Sequence, residues 1–303
     1  MNSSTSSSII YWNREQSRSE QEKVYGDQYI RWAYQTPLGG WFTQNVLIQP
    51  WFSRRFGAYQ SSPQSAQKIP TFIQQYQIPM HEFESGPFPT FNDFFIRKFR
   101  PEARPFDSVS SHMPAFAEGR YFAYSQITPE LSIPVKGQFL GAGALLGPTA
   151  QKKWGPVFEK GPLMICRLCP TDYHRFHFPD QGKLAEFFHV PGKFHSVNPI
   201  ALKNFPEIFC VNERQVSILE SQNFGKLAYI EVGAMCVGKI VQSYSADQPF
   251  QRGQEKGYFL FGASTVILLG EPGRWTPDRD LLDQTSQGRE TLVKLGKKIG
   301  QKL

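Results

Sequence analysis

Cysteine is scarce in this chain of 303 residues, which has four: Cys166, Cys169, Cys210 and Cys236. Cys166 and Cys169 form a Cys-x-x-Cys pair, but no second pair and no histidine at ligand spacing accompanies it. No metal site is therefore expected, and the pair reads as packing within a strand. So few cysteines exclude a disulfide scaffold and fit a reducing, intracellular compartment. Long hydrophobic runs are also missing. The longest nearly apolar stretch lies between Lys256 and Glu271, short of the about 20 residues that a membrane-spanning helix needs. The serine-rich lead lacks the basic start and apolar core of a signal peptide. There is no arginine-rich run with a nucleic-acid motif, no internal repeat, and no alternation of strand and helix signals such as builds a parallel sheet.

What the chain does have is aromatic and basic character. Aromatic residues make up 15%, with 26 Phe, and the formal net charge is +7. Phe, Pro and Gly together point to many strands and turns. A basic surface suits an anionic partner, here lipid headgroups rather than nucleic acid.

Residues 1–85 read as a helical region. Gln21–Tyr34 is expected to be helical, stopping before Pro37. In Trp41–Phe56, large aromatics stand beside Arg54 and Arg55, a pattern that suits either a membrane interface or an ordinary packed helical hairpin. Phe91–Phe99 reads as a short amphipathic helix ending near Pro101. From about residue 110 to 270 the signals are β, with strands expected at Met164–Leu168, Val216–Leu219, Leu227–Val232 and Phe259–Leu269. Leu292, Leu295 and Ile299 have helical spacing among lysines, so Arg289–Leu303 is expected to be a basic C-terminal helix. The fold expected is α+β: a β-rich antiparallel core, an N-terminal helical membrane-facing region (1–85), a catalytic domain (86–303) and a short C-terminal helix.

Three segments could carry chemistry. Ser264-Thr265 interrupts the apolar stretch Gly257–Gly270, preceded by the small residues Gly262 and Ala263. A buried hydroxyl needs a partner or a role. Ser264 is either a strand hydroxyl satisfied in the core or a nucleophile facing the peptide bond before it. Pro170–Pro179 holds Asp172, His174 and His177 on an expected loop. A histidine there can act as a base near neutral pH, and Asp172 is close enough in sequence to orient a ring. Glu118-Gly119 places a carboxylate at a turn, where it could orient a histidine.

Taken together, Gly-Ala-Ser-Thr, Asp-Tyr-His-Arg-Phe-His-Phe-Pro and the carboxylate-Gly turn resemble the phosphatidylserine decarboxylase family. Phe91–Lys98 with Ala103-Arg-Pro, Val135-Lys-Gly, Leu145-Leu-Gly, Ser196-Val-Asn-Pro, Asn212-Glu-Arg, Glu231-Val-Gly-Ala, Val237-Gly and Gly253–Phe259 extend the likeness in order over roughly 90–270. The resemblance implies a self-processing enzyme with a pyruvoyl group. Ser264 would attack the carbonyl of Ala263, the chain would cleave there into a β chain (1–263) and an α chain (264–303), and the serine remnant would become the pyruvoyl. His177 would be the base for cleavage, with Glu118 in the place of the family's acid and Asp172 as a second orienter. His174 would handle protons during decarboxylation. The pyruvoyl would form a Schiff base with phosphatidylserine and release CO2, leaving phosphatidylethanolamine. The expected setting is peripheral, on the cytoplasmic face of the cell membrane. The two chains would stay associated, and a homodimer is a further expectation. Two residues depart from the family pattern: Ala263 stands where Gly is usual, and Glu118 where Asp is usual. A serine hydrolase with an uncleaved Ser264/His177/Glu118 triad is one alternative, although Ser264 lacks the trailing Gly of a nucleophile elbow. An unprocessed, non-enzymatic membrane-binding homologue is the other.

Overall fold

A computed structural model describes residues 8–127, 141–236, 239–262 and 264–303. The strands among them are β1 (Ile10–Asn13), β2 (Arg18–Gln21), β3 (His112–Pro114), β4 (Gly119–Tyr124), β5 (Leu163–Leu168), β6 (Arg175–His177), β7 (Gly182–Val190), β8 (Arg214–Ser221), β9 (Gly225–Val232), β10 (Ile240–Gln242), β11 (Glu255–Phe259), β12 (Ser264–Gly270), β13 (Trp275–Pro277), β14 (Glu290–Val293) and β15 (Lys298–Lys302). Nine form one sheet in the order β2-β1-β14-β4-β5-β12-β9-β8-β7. Its pairs are antiparallel except β1 with β14. Two three-stranded sheets, β10-β11-β6 and β13-β15-β3, complete the β structure among the described residues. The α+β class and the antiparallel core are as expected.

β12 lies between β5 and β9, and all of its residues are buried. That burial on both faces explains why Val266–Leu269 reads as an unbroken apolar run. β7, at the sheet edge, instead alternates between more and less exposed residues until its last position.

Five local expectations are corrected. Residues 10–21 are not part of a helical region but hold two strands at one end of the main sheet, β2 at its edge and β1 between β2 and β14. The first helix, α1 (Asp27–Gln35), begins after Gly26, whose φ of 66° favours glycine. The expected single strand Phe259–Leu269 is two, β11 and β12, parted by a bend at Phe261-Gly262. Gly262 has φ 144°, so Ser264 opens a strand instead of lying inside one. The basic C-terminal helix is also absent. Leu292 sits on β14, Leu295 in a turn and Ile299 on β15, with Gly296 at φ 78° turning the chain. Pairing of Thr291–Val293 with Tyr121–Gly119, and of Lys298–Gln301 with Pro114–His112, outweighs the weak helical pattern. A helix does form just upstream, at Arg279–Ser286. Finally, the helix expected at Phe91–Phe99 ends at Phe95.

After α1 come α2 (Pro37–Phe42), a π-helical turn (Thr43–Leu47), α3 (Pro50–Gln60), a 3-10 turn (Pro63–Lys68), α4 (Ile69–Tyr76), a second 3-10 turn (Met80–Glu82) and α5 (Phe91–Phe95). An aromatic cluster that includes Phe72, Phe91, Phe94 and Phe95 packs these helices against Tyr173 and Phe261. The helical layer therefore rests on the segment that leads into Ser264.

Candidate active site

Ser264 is fully buried at the start of β12, opposite Leu168 of β5. Its Oγ has no hydrogen-bond partner, and neither has Oγ1 of Thr265. The reading of two satisfied strand hydroxyls is thus corrected. A buried hydroxyl without a partner costs about 1–3 kcal/mol, and such an expense is typical of a reactive position.

The loop after β5 brings His174 to this bend. Its backbone carbonyl accepts a hydrogen bond from Phe259 N–H at 2.9 Å. Its ring is fully buried and lies tilted by 33° against Phe95, with centroids 3.9 Å apart. Nδ1 lies 3.0 Å from the carbonyl oxygen of Asp172. A carbonyl only accepts, so Nδ1 carries the proton and Nε2 bears the lone pair. Nε2 is buried with no partner. Burial drives the His174 pKa down to about 3, and the nearby backbones of Asp172 and Gly262 only partly oppose it. The ring is thus neutral at pH 7, with its basic nitrogen unengaged and the Gly262 backbone beside it.

His177 is arranged differently. Its Nδ1 lies 2.9 Å from Gly253 O, so Nδ1 is again the protonated nitrogen. Its Nε2 meets the Tyr173 hydroxyl at 3.3 Å. Burial lowers its pKa as well. Glu118 is close along the backbone, since His177 N–H donates to Phe116 O at 2.8 Å. The Glu118 carboxylate, however, accepts from Arg104 at 2.5 and 2.9 Å and from Leu295 N–H at 3.0 Å. Among the described residues no hydrogen bond links Glu118, His177 and Ser264 into a triad. Asp172 orients His174 through its main-chain carbonyl, while its carboxylate pairs with Arg120 at 2.7 Å and caps Cys169 N–H at 2.7 Å. Burial raises the Asp172 pKa, against the pull of Arg120. Ala263, like the quoted stretches 135–137 and 237–238, lies outside the described residues.

Sequence reasoning missed a buried charge network centred on Arg167, which lies opposite Thr265 across the β5–β12 pair. Arg167 pairs with Glu22 at 2.6 Å and with Glu290 at 2.5 Å, and Arg120 pairs with Glu22 at 3.1 Å. Burial pushes the Glu22 carboxyl up, but the two arginines outweigh it and hold the pKa at about 2. The partners are separated by up to 145 positions, so local patterning carries no trace of them. Among the described residues no cluster of three or more His, Cys, Asp or Glu side chains could hold a metal.

A cavity of 510 Å³ runs from the helical layer to the bend at Phe261-Gly262. Tyr29 and Trp32 of α1, Phe42 of α2 and Phe52 and Phe56 of α3 form its outer wall, and Arg167, Ser196 and Asn198 its inner end. Such a cavity accepts an apolar chain with a polar end.

A buried, unpartnered serine after a glycine bend, a neutral histidine near that bend and an apolar approach form a site suited to an enzyme whose substrate carries an apolar chain. The family profile described as phosphatidylserine decarboxylase matches residues 91–301. A protein named phosphatidylserine decarboxylase proenzyme from Clostridium novyi (strain NT) is 41% identical over 299 residues, covering 97% of this chain and 100% of the relative. A protein of the same name from Clostridium perfringens (strain SM101 / Type A) is also 41% identical, with the same coverage. Another from Desulfitobacterium hafniense (strain Y51) is 39% identical over 96% of this chain and 98% of the relative. The chain belongs to the phosphatidylserine decarboxylase family.

Proposed function

We propose that this chain is the proenzyme of a phosphatidylserine decarboxylase, a carboxy-lyase that makes phosphatidylethanolamine and CO2, and that Ser264 is the source of its pyruvoyl group. The observation that carries this reading is the unpartnered, buried Ser264 hydroxyl following the Gly262 bend, in a chain of this family. Attack of Oγ on the Ala263 carbonyl carbon forms an ester and breaks the amide, whose nitrogen takes a proton. Loss of the Ser264 α-proton then expels the Ala263 carboxylate, and water releases ammonia to leave the pyruvoyl on residue 264. The site fits that group, because the carbonyl would replace a hydroxyl that has no partner to lose. When present, the pyruvoyl supplies a carbonyl that condenses with the substrate amine and withdraws electrons as CO2 departs.

His174, neutral and with Nε2 open, is suited to moving a proton beside the reacting carbon. His177 and Glu118 are assigned to the cleavage step, supported by the family resemblance and by the hydrogen bond from His177 N–H to Phe116 O, two residues before Glu118. Asp172 holds His174 in its tautomer. The α chain supplies β12, β14 and β15, each paired with strands of the β chain. The two pieces therefore remain joined after cleavage.

The region 1–85 is assigned to membrane contact, with 86–303 as the catalytic domain. Tyr29, Leu38, Trp41, Trp51 and Tyr59 are exposed on it, and Arg54 and Arg55 stand among them. No described helix is long and apolar enough to cross a membrane. Peripheral docking on an anionic leaflet, at the cytoplasmic face, follows from this reading.

The test is the intact mass and denaturing-gel pattern of the purified protein. Two fragments are expected, the smaller starting at residue 264 and blocked to N-terminal sequencing. Ser264→Ala should give one uncleaved chain without decarboxylase activity. A variant that still yields both fragments would sink the mechanism.

A further inference from the structure

The bend before Ser264 is held by side chains from α5, a helix of only five residues. Thr90 and Asp93 form a capping box that fixes its start. Asn92, 4% exposed, accepts a hydrogen bond from Phe261 N–H through Oδ1 at 2.8 Å. Its Nδ2 donates to Ser61 Oγ at 2.8 Å and to Gly57 O at 3.4 Å. The side-chain amide is thereby oriented from both ends.

Phe95 stands three positions along, on the same face of the helix. It lies tilted against the His174 ring and packs edge-on against Phe261 at 4.9 Å. Just beyond, buried Arg97 donates to Thr171 O at 3.1 Å, in the loop that carries His174. One short segment thus grips both the backbone at Phe261, just ahead of the Gly262 bend, and the His174 ring beside that bend.

We propose that Asn92 is a positioning residue for self-cleavage, holding Phe261 so that the bend at Gly262 leads the chain toward Ser264 in the geometry the acyl shift needs. The proposal rests on the self-processing reading above. Asn92 touches no reacting atom and carries no proton in the reaction, so it acts through geometry alone. Misplacement by about an ångström at such a centre costs on the order of 100-fold in rate.

The test follows conversion of full-length chain to fragments during cell-free synthesis, alongside thermal unfolding of each variant. Asn92→Leu, which removes the acceptor at similar volume, should slow cleavage by about 10- to 100-fold and leave the midpoint of its pH profile in place. Asn92→Asp keeps an oxygen for Phe261 N–H and should recover most of the rate. A merely structural role would not distinguish Leu from Asp once both variants are folded. Asn92→Leu cleaving at the wild-type rate, or Asn92→Asp remaining as slow as a folded Asn92→Leu, would overturn the proposal. If Asn92→Leu does not fold, Ser61→Ala at an exposed position decides: it frees the far end of the amide and should slow cleavage several-fold, whereas an unchanged rate overturns the proposal. Wild-type chain that never cleaves would instead defeat the self-processing reading itself.

Discussion

In the helices between Asp27 and Tyr76, large aromatic side chains face outward: Tyr29 is 80% exposed and Trp41 63%. Around Ser264 the opposite holds, and arginine, glutamate and histidine are all inside. The helical layer leaves apolar surface in contact with its surroundings, while the sheet takes charge out of water. Each arrangement carries a cost, and each makes sense only with the other. Exposed aromatics suit a lipid surface. Buried charge near the proposed reacting serine suits chemistry that water would short-circuit. The cavity between the two regions joins them.

The largest effect should come from breaking the buried network. Arg167→Met leaves Glu290 and Glu22 without their main partner in the interior. Removing one side of a buried pair costs about 3–5 kcal/mol, which should appear as a large drop in the denaturant midpoint. Arg54→Ala, exposed on α3, should change stability by less than about 0.5 kcal/mol. If both variants melt alike, charge in the sheet has no greater structural role than charge on the helices.

Acid should separate the regions next. His174 has a pKa of about 3 in the fold against an ordinary value of 6.5. Below pH 6.5 the unfolded chain takes up a proton that the folded chain refuses. Stability from this group is therefore complete above about pH 6.5 and declines as the pH falls from there toward 3. At pH 5 the loss from His174 is about 2 kcal/mol. Urea unfolding of the uncleavable Ser264→Ala chain at pH 7 and pH 5 measures it. Adding His174→Phe should remove most of that increment while leaving the contribution of His177, whose pKa is also lowered by burial. An unchanged pH slope would show that His174 titrates as an ordinary surface group.

The sheet's central strands were legible from the sequence because continuous burial writes itself as continuous apolar residues, as in β5 and β12. The two ends of the chain were not. Residues 10–21 and 290–302 form strands through partners far away in sequence: Tyr11 lies opposite Glu290, and Gly300 opposite Met113. The three-to-four spacing of Leu292, Leu295 and Ile299 therefore reflected a strand, a turn and a strand. In the site, Ser264 and His174 stood out as polar groups in apolar or proline-bounded settings. The break at Phe261-Gly262 was masked by apolar residues on both sides of it. Asn92 was invisible as a contact, since its partner Phe261 lies 169 positions away. The Thr90–Asp93 capping box that starts its helix was the available local signal.

The smallest effect tests the helical layer itself. Trp41 and Trp51 are 63% and 50% exposed, so replacing either with serine should leave the melting temperature unchanged. If their rings enter a lipid surface, each substitution forfeits about 1.5–3 kcal/mol of apolar burial at most. Partial insertion makes a loss of about tenfold in affinity the expected result. Co-sedimentation with vesicles of phosphatidylserine and phosphatidylcholine measures that loss. Phe187, 43% exposed on edge strand β7, is the control from the other region. Phe187→Ser should bind vesicles like the wild type. Equal weakening by Phe187→Ser and Trp41→Ser would mean that exposed aromatic area, wherever it lies, governs the binding. The helical layer would then lose its claim to be the membrane-facing side.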